Sequence, residues 1–557
     1  MEFCEKCGQV VTLDSVSVTC ADRCERTFHA PCVNLSAAVA DSLAADDGLR
    51  WFYDQCRRGN KRKLASTALQ RDSPQLPAEI WVEIFNQLSS WQLLKVRLVC
   101  RRWRDIVDGS LNARFTVRFP KLPIIDREYE PVQLPLPVIE FYFDQTRIAA
   151  VGSWWASFGP NLTGITMVEC KIMLPNLLAM LRQTVNLTRL ELHEVIVDMY
   201  EANPVPDFRL DKLQLLVIEG VNRAENLELF REICPNLGYL QLVSCYLDER
   251  SEAFLRHVVD FVAVRHASLN SLEVDGDDLL LSELIKLRQW KLEKLVLRSG
   301  DFAFGNVRAL VELCRMVPWL VELGVEPGVS AWQEITRIGQ LLPNLKKLEL
   351  TLKGNHQNKP SFLTRMAGLQ VLQLKYDTLT TWFLDFDGIV CPHLHTLVLE
   401  HINCVDSRLA QFLASAPKLR VLSLSWCKFD CWTEIFRTIA PCRRLQRLTL
   451  KCIEADDYNR CFFDYLDDLR YLEVHKCDEI PQEMLATLLS LCPRLEELAL
   501  TCLADKIDEE ILRVICEKLH RLVRVKIIGC ELSERDAGYV RANCHVLESV
   551  LIAESFV

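Results

Sequence analysis

The residues best suited to chemistry stand near the start of the chain: Cys4-x2-Cys7, Cys20-x3-Cys24, His29-x2-Cys32 and, farther on, Trp51-x-Tyr53-x2-Cys56. Thiolate sulfur and imidazole nitrogen are the donors a zinc ion takes in a tetrahedral set of four, and a Cys-x2-Cys knuckle supplies two at once. One such pair alone says little; Cys-x4-His-x2-Cys behind two pairs makes a metal module the expectation. Cys4, Cys7, Cys20, Cys24, His29, Cys32 and Cys56 are the candidate ligands. The run "RRGNKRK" at 57–63 then sets five basic residues in seven, which suits a nuclear import signal, a nucleic-acid contact or a solvated linker. No HExxH site, phosphate-binding glycine loop or G-x-S-x-G elbow occurs elsewhere. A non-catalytic protein is expected.

What must position these residues is a chain of 557, half of them apolar and a quarter charged, the balance of a globular protein. That length exceeds one ordinary core, so several domains or a repeat array are implied. The net charge of −10 argues against wholesale nucleic-acid binding. No stretch reaches the roughly 18 apolar residues of a membrane span. The opening "MEFCEKCGQV" lacks the blocks of a secretion signal, so cytoplasm or nucleus is expected.

From residue 162 the pattern apolar-x-x-apolar-x-apolar recurs sixteen times, opening at Leu162, Leu187, Leu213 and so on to Leu547, mostly 24 to 28 residues apart. "LRVLSLSWC" at 419–427 alternates like a strand, with Leu422 and Leu424 on one side and Ser423 and Ser425 on the other. "DCWTEIFRTIA" then sets Trp432, Ile435, Phe436 and Ile439 at helical spacing. Five cysteines, among them Cys170 and Cys427, lie eight residues after an opening leucine, and five more, among them Cys391 and Cys442, three before one. A position that recurs once per repeat is a packing position, so these thiols are expected to fill the core.

Strand plus helix every 25 or so residues resembles the leucine-rich repeat, in its cysteine-containing subclass, and implies an α/β solenoid of about sixteen repeats. A concave face about 75 Å long would follow from strands about 4.8 Å apart. Glu191, Glu219, Glu273 and Asp275 fall at outward strand positions and make the expected protein-substrate face, read as a mildly acidic groove for a basic segment.

Residues 73–108 set Ile80, Trp81, Ile84, Phe85 and Leu88 on one helical face behind Pro77; Leu93, Leu94, Leu98 and Val99 follow a break, then Cys100, Trp103, Ile106 and Val107. Three short amphipathic helices cannot bury enough surface alone, and a partner helix is the natural completion. The run Leu76-Pro77-x-Glu79-Ile80, Ile84-Phe85, Leu88, Leu98-Val99-Cys100-Arg101-x-Trp103 resembles an F-box. That resemblance implies docking on the Skp-type adaptor of a cullin ubiquitin ligase through Leu76, Pro77, Ile80, Ile84, Leu94, Val99, Cys100 and Trp103. F-box followed by leucine-rich repeats is the layout of a class of substrate receptors.

The cysteine-rich start resembles a PHD finger. The family's interleaved pairing implies one zinc on Cys4, Cys7, His29 and Cys32 and a second on Cys20, Cys24 and Cys56, with Tyr53 where the last cysteine would stand. A phenol that keeps its proton to about pH 10 is a poor zinc donor, so the second site is degenerate unless Asp54, Asp22 or water completes it. Histone-tail reading needs an aromatic cage, for which Phe3 and Phe28 are the candidates. The same finger, F-box and repeat order resembles part of certain histone lysine demethylases and gives the alternative of a chromatin-associated adaptor. The expected domains are a finger at 1–60, a basic and polar linker at 61–72, the F-box at 73–118, an irregular connector and cap at 119–160, and repeats at 161–557.

Overall fold

A computed structural model describes residues 17–19, 27–33 and 76–553, except 89, 111–115, 120, 122–123, 130–138, 199–205, 221–224, 244–251, 299–306, 327–331, 353–358, 377–380, 406, 457–465, 478–479, 504–506, 531–534, 536–537 and 541–548. The chain divides into two units, Met1–Ser89 and Ser90–Val557. In the first, the strands Ser17–Thr19 and Thr27–His29 pair antiparallel, Ser17 opposite His29, and the helix α1 spans Ala78–Asn86.

The second unit opens with α2 (Ser90–Arg97) and α3 (Arg101–Ser110), joined by the turn at 98–100. A parallel sheet follows whose strands succeed one another in chain order from Thr116–Arg118 to Ser549–Ala553. All sixteen leucine openings lead into strands of this sheet, for example Leu419 into Val421–Ser425 and Leu445 into Arg447–Lys451. The alternation has a simple cause: Leu419, Leu422 and Leu424 expose 1% or less of their surface while Val421, Ser423 and Ser425 face out. Parallel strands need a long return, and helices such as Trp432–Ile439, Gln482–Ser490 and Glu509–Lys518 supply it. Trp432, Ile435, Phe436 and Ile439, the four residues read at helical spacing, are all buried against the sheet.

The expected connector at 119–160 is different in kind. Thr116–Arg118 and Glu140–Asp144 already belong to the sheet, pairing with each other and then with Gly164–Val168. The array therefore begins two strands earlier than the leucines do. Phe141 and Phe143 occupy the inward positions that leucine fills elsewhere, and Phe119 stacks on Phe143 at 4.5 Å. Aromatic substitution hid this start.

After most strands the chain turns outward through one left-handed residue: Glu169, Glu194, Gly220, Trp426, Lys476 and Gly529 have φ between 48° and 71°. The N–H there donates to the end of the next strand, as from Trp426 to Lys451 O (2.8 Å) and from Lys476 to Thr501 O (2.9 Å). At Gly220 a Cβ would stand 3.1 Å from Glu194 Cα, so both space and φ favour glycine there.

The next residue points inward and is often cysteine. Cys427 donates to Ser425 O and Leu399 O, and Cys477 to His475 O and Leu450 O, at 3.4 to 3.6 Å. Burial pushes the thiols of Cys234, Cys314 and Cys442 up to about 12 and that of Cys391 to about 11. Protonated and enclosed, they act as small core groups.

Candidate partner-binding surfaces

The helix α1 begins behind Pro77, whose carbonyl accepts from Trp81 N at 3.3 Å and whose own missing N–H leaves no donor unpaired. Phe85 is buried, with the Trp81 ring 5.4 Å from it. Ile80 and Ile84, four residues apart, share a face of α1, and with Leu76 just before the helix they remain 40 to 41% exposed. Pro77 is exposed beside them. Side chains of this size normally go inside.

In the second unit Leu93, Ile106 and Val107 are buried and Arg97 grips Asp108 with two hydrogen bonds of 2.6 and 3.0 Å, tying α2 to α3. That bidentate pair fixes the turn between the helices. In the turn, Leu98 is 82% and Val99 63% exposed, and Cys100 is exposed too. Trp103 is half-buried, its N–H directed at Cys100 Sγ (3.4 Å). Leu94 lies on α2 with its side chain outside the described residues. Leu98, the most exposed large apolar residue among those described, was absent from the expected docking set although it stands in the motif. Its place in the turn, not its spacing, gives it that exposure.

The expected acidic face takes another form. Glu191 accepts from Thr166 Oγ1 (3.2 Å) and lies 3.7 Å from Arg189 and 3.6 Å from His193. Glu219 meets the other nitrogen of His193 at 2.5 Å. The hydrogen bond from His193, aided by Arg189, holds the Glu191 carboxyl below its ordinary range, and the two glutamates raise His193. Glu273 is only 3% exposed: Arg298 Nε donates to it at 2.6 Å, and Lys294 Nζ and Tyr239 Oη at 3.3 Å. Asp275 is buried as well. Farther along, Lys375 pairs with Glu400 (3.2 Å), Lys451 with Glu473 (3.1 Å) and Arg524 with Glu497 (2.8 Å). Glu191, Glu273, Glu400, Glu473 and Glu497 thus each meet a cation on their own or a neighbouring strand, which leaves this face less acidic than its sequence. Cross-strand pairing of residues about one repeat apart is the physical reason.

Of the zinc-ligand candidates, His29 ends its strand and Cys32 sits on the 3-10 turn Ala30–Val33 that follows directly. A tight turn carrying an x2-spaced His and Cys fits one chelating pair. Cys4, Cys7, Cys20, Cys24 and Cys56, like Tyr53, lie outside the described residues.

Residues 73–118 match the family model described as F-box-like, and residues 2–60 match the one described as "Pygopus, PHD-type zinc finger". A comparison with curated proteins finds no match. Among solved structures, a TLR13–ssRNA13 complex is similar at 16% identity and a TM-score of 0.45, over 78% of this chain and 66% of that one. The mouse RP105/MD-1 complex is similar at 15% and 0.38, over 80% of each chain. The yeast Rad7 and Elc1 complex is similar at 16% and 0.37, over 58% of this chain and 78% of that one. The chain thus joins a PHD-type finger segment and an F-box-like segment to a leucine-rich-repeat solenoid. That is the build of an adaptor-type protein. Among the described residues no helix is long and apolar enough to cross a membrane.

Proposed function

We propose that this chain is the substrate-recognition subunit of an SCF-type ubiquitin ligase in the cytoplasm or nucleus. The observation that carries the proposal is the set of large apolar side chains left exposed within the F-box-like segment: Leu76 just before α1, Ile80 and Ile84 on it, Leu98 and Val99 at the turn. Exposed apolar groups of this size await a partner, and a Skp-type adaptor is the partner an F-box implies. The repeats then hold the protein target, and ubiquitin transfer is accelerated by proximity, with the chemistry done by the cullin-bound enzymes. The receptor itself is non-catalytic.

Affinity purification of the full chain should recover a Skp-type adaptor and a cullin. Ile80→Glu with Leu98→Glu should lose both while the melting temperature is unchanged. Failure of the unmodified chain to capture any such adaptor would sink the reading.

A second role concerns the finger. The match over residues 2–60 and the His29–Cys32 turn favour zinc held by Cys4, Cys7, His29 and Cys32, with Cys20, Cys24 and Cys56 forming a weaker site beside Tyr53. Zinc there would cross-link the fold of a segment too small to be stable alone. Metal analysis of the full chain should find between one and two zinc ions per molecule; none would refute the assignment. A chromatin-associated adaptor would in addition bind histone-tail peptides through this segment, which a peptide array with the full chain tests.

A further inference from the structure

Ion pairing on the outward face of the sheet is uneven along the solenoid. Six consecutive strands, from Leu215–Glu219 to Lys347–Leu352, carry five carboxylates against three Lys or Arg. In the next seven, from Val371–Tyr376 to Arg524–Ile528, five Lys or Arg stand against three carboxylates. The face changes sign midway. Within the acidic stretch Glu349 is half-buried and has no ion-pair partner among the described residues: its neighbours Lys347 and Lys375 turn to Glu322 (3.8 Å) and Glu400 (3.2 Å). Glu219 meets only His193 among the described residues. Burial opposes the charge of Arg298, yet Glu273, Glu349 and Glu219 together hold its guanidinium above the ordinary value.

Ser271 adds an unmet group of another kind. It is 7% exposed and its Oγ has no hydrogen-bond partner. The alternate residues Leu272 and Val274 are wholly buried in the core, so Ser271 and Glu273 face the other way. Its register partners Tyr239 and Lys294 both donate to Glu273 at 3.3 Å, which aims Ser271 Oγ at the same cluster. A buried hydroxyl without a partner costs free energy until one arrives. No group of three His, Cys, Asp or Glu among the described residues is placed to hold a metal ion. The cation that suits this stretch is organic.

We propose that the sheet face between Glu219 and Glu349 is the contact for a basic, extended segment of the protein target. The proposal deepens the receptor reading above and rests on it. Ammonium and guanidinium heads only donate hydrogen bonds, whereas the carboxylates of Glu219 and Glu349 only accept them and Ser271 Oγ has lone pairs to offer. In register between Glu273 and Glu349 stand Val296 and Gly324, so no long or charged side chain rises there. The aliphatic stem of a lysine or arginine lies on that step while its head reaches Glu349. Glu219 and Glu349 stand on strands five steps apart, about 24 Å, the span of roughly seven extended residues. An acidic segment would meet a surplus of its own sign here, and a nucleic-acid strand all the more so.

The test titrates the full chain with a fluorescent pool of degenerate decapeptides that carry three fixed arginines. A pool with citrulline, the uncharged isostere, a glutamate pool and calcium ion alone run beside it. The arginine pool should bind at least tenfold tighter than the citrulline pool, with glutamate the weakest. Glu349→Lys should remove at least tenfold and Glu349→Gln part of that, with unchanged melting temperature, since this carboxylate is in no ion pair among the described residues. Glu497→Gln, elsewhere on the sheet, should leave binding as it was. No preference for arginine over citrulline, no effect of Glu349→Lys, or calcium binding that displaces the arginine pool overturns the proposal. Adaptor capture is read on the same samples. Arginine-pool binding without adaptor refutes the ligase reading alone, and adaptor capture without arginine preference refutes the basic-segment contact alone.

Discussion

Leu448 on the sheet and Leu98 between the F-box helices are the same residue type put to opposite uses: the first is fully buried, the second 82% exposed. In the repeats most polar groups find partners within the protein, with Trp432 Nε1 and Trp290 Nε1 among the exceptions. Outward carboxylates find cations one strand away, and inward cysteines find carbonyl oxygens. The F-box-like segment leaves its apolar groups unmet. A surface that has satisfied itself can be stable without a partner, whereas one that has not is built to acquire one.

The contrast is broken most directly by truncation. Trp432→Ala should destabilise the solenoid by about 3–5 kcal/mol, as expected for deletion of a buried aromatic ring. Trp432→Phe should cost much less, because the indole N–H is buried with no hydrogen-bond partner and its removal relieves a loss. Leu98→Ala should shift stability by no more than about 0.5 kcal/mol, as exposed positions do, while adaptor capture falls. Denaturant titration of the three variants reads all of this. If Leu98→Ala proves as costly to the fold as Trp432→Ala, the two regions do not differ as claimed.

Next in size is the buried carboxylate. Glu273→Gln keeps an acceptor for Tyr239 but deprives Arg298 and Lys294 of their counter-charge. A cost of about 2 kcal/mol is expected, below the fully buried case because Arg298 reaches solvent. Charge reversal at an outer pair such as Lys428–Glu454 should cost a few tenths of a kcal/mol at most. Measured equality of the two would mean that the ladder charges are ornamental throughout.

Much of this was legible in the sequence because the repeat is a one-dimensional pattern: sixteen leucine openings give sixteen strands, and the eight fixed-register cysteines among the described residues are core residues, while Cys245 and Cys544 lie outside the described residues. The start of the array was not, since Phe141 and Phe143 replace leucine and the preceding prolines read as irregular chain. The ionic partners of Glu191, Glu219 and Glu273, and the burial of Glu273, were not legible. Whether a carboxylate is open or answered depends on a residue one repeat away, and no local pattern records which rotamers meet. The exposure of Leu98 follows from a turn that the Arg97–Asp108 clasp fixes across eleven residues, again a pairing no spacing rule announces.

The smallest effect sharpens the comparison by pH. His193 gains two carboxylate partners on folding and its value is raised, so its contribution is complete below the ordinary imidazole range of about 6.5 and is lost as pH climbs through the folded value. Glu191 is depressed, so its share is present above the ordinary carboxylate value of about 4.3 and is lost as pH falls through the lower folded value. The two together should make this repeat most stable between those ranges. Unfolding midpoints across pH 4 to 9 (about the span between those reference values and beyond them) should show a shallow decline on the alkaline side that His193→Ala abolishes, with the acid side moved less. The F-box-like segment, whose exposed apolar residues carry no charge to titrate, should show no matching change in adaptor capture between pH 6 and 8 (about one imidazole transition). A capture profile that follows His193 would tie the two regions together and undo the division of labour drawn between them.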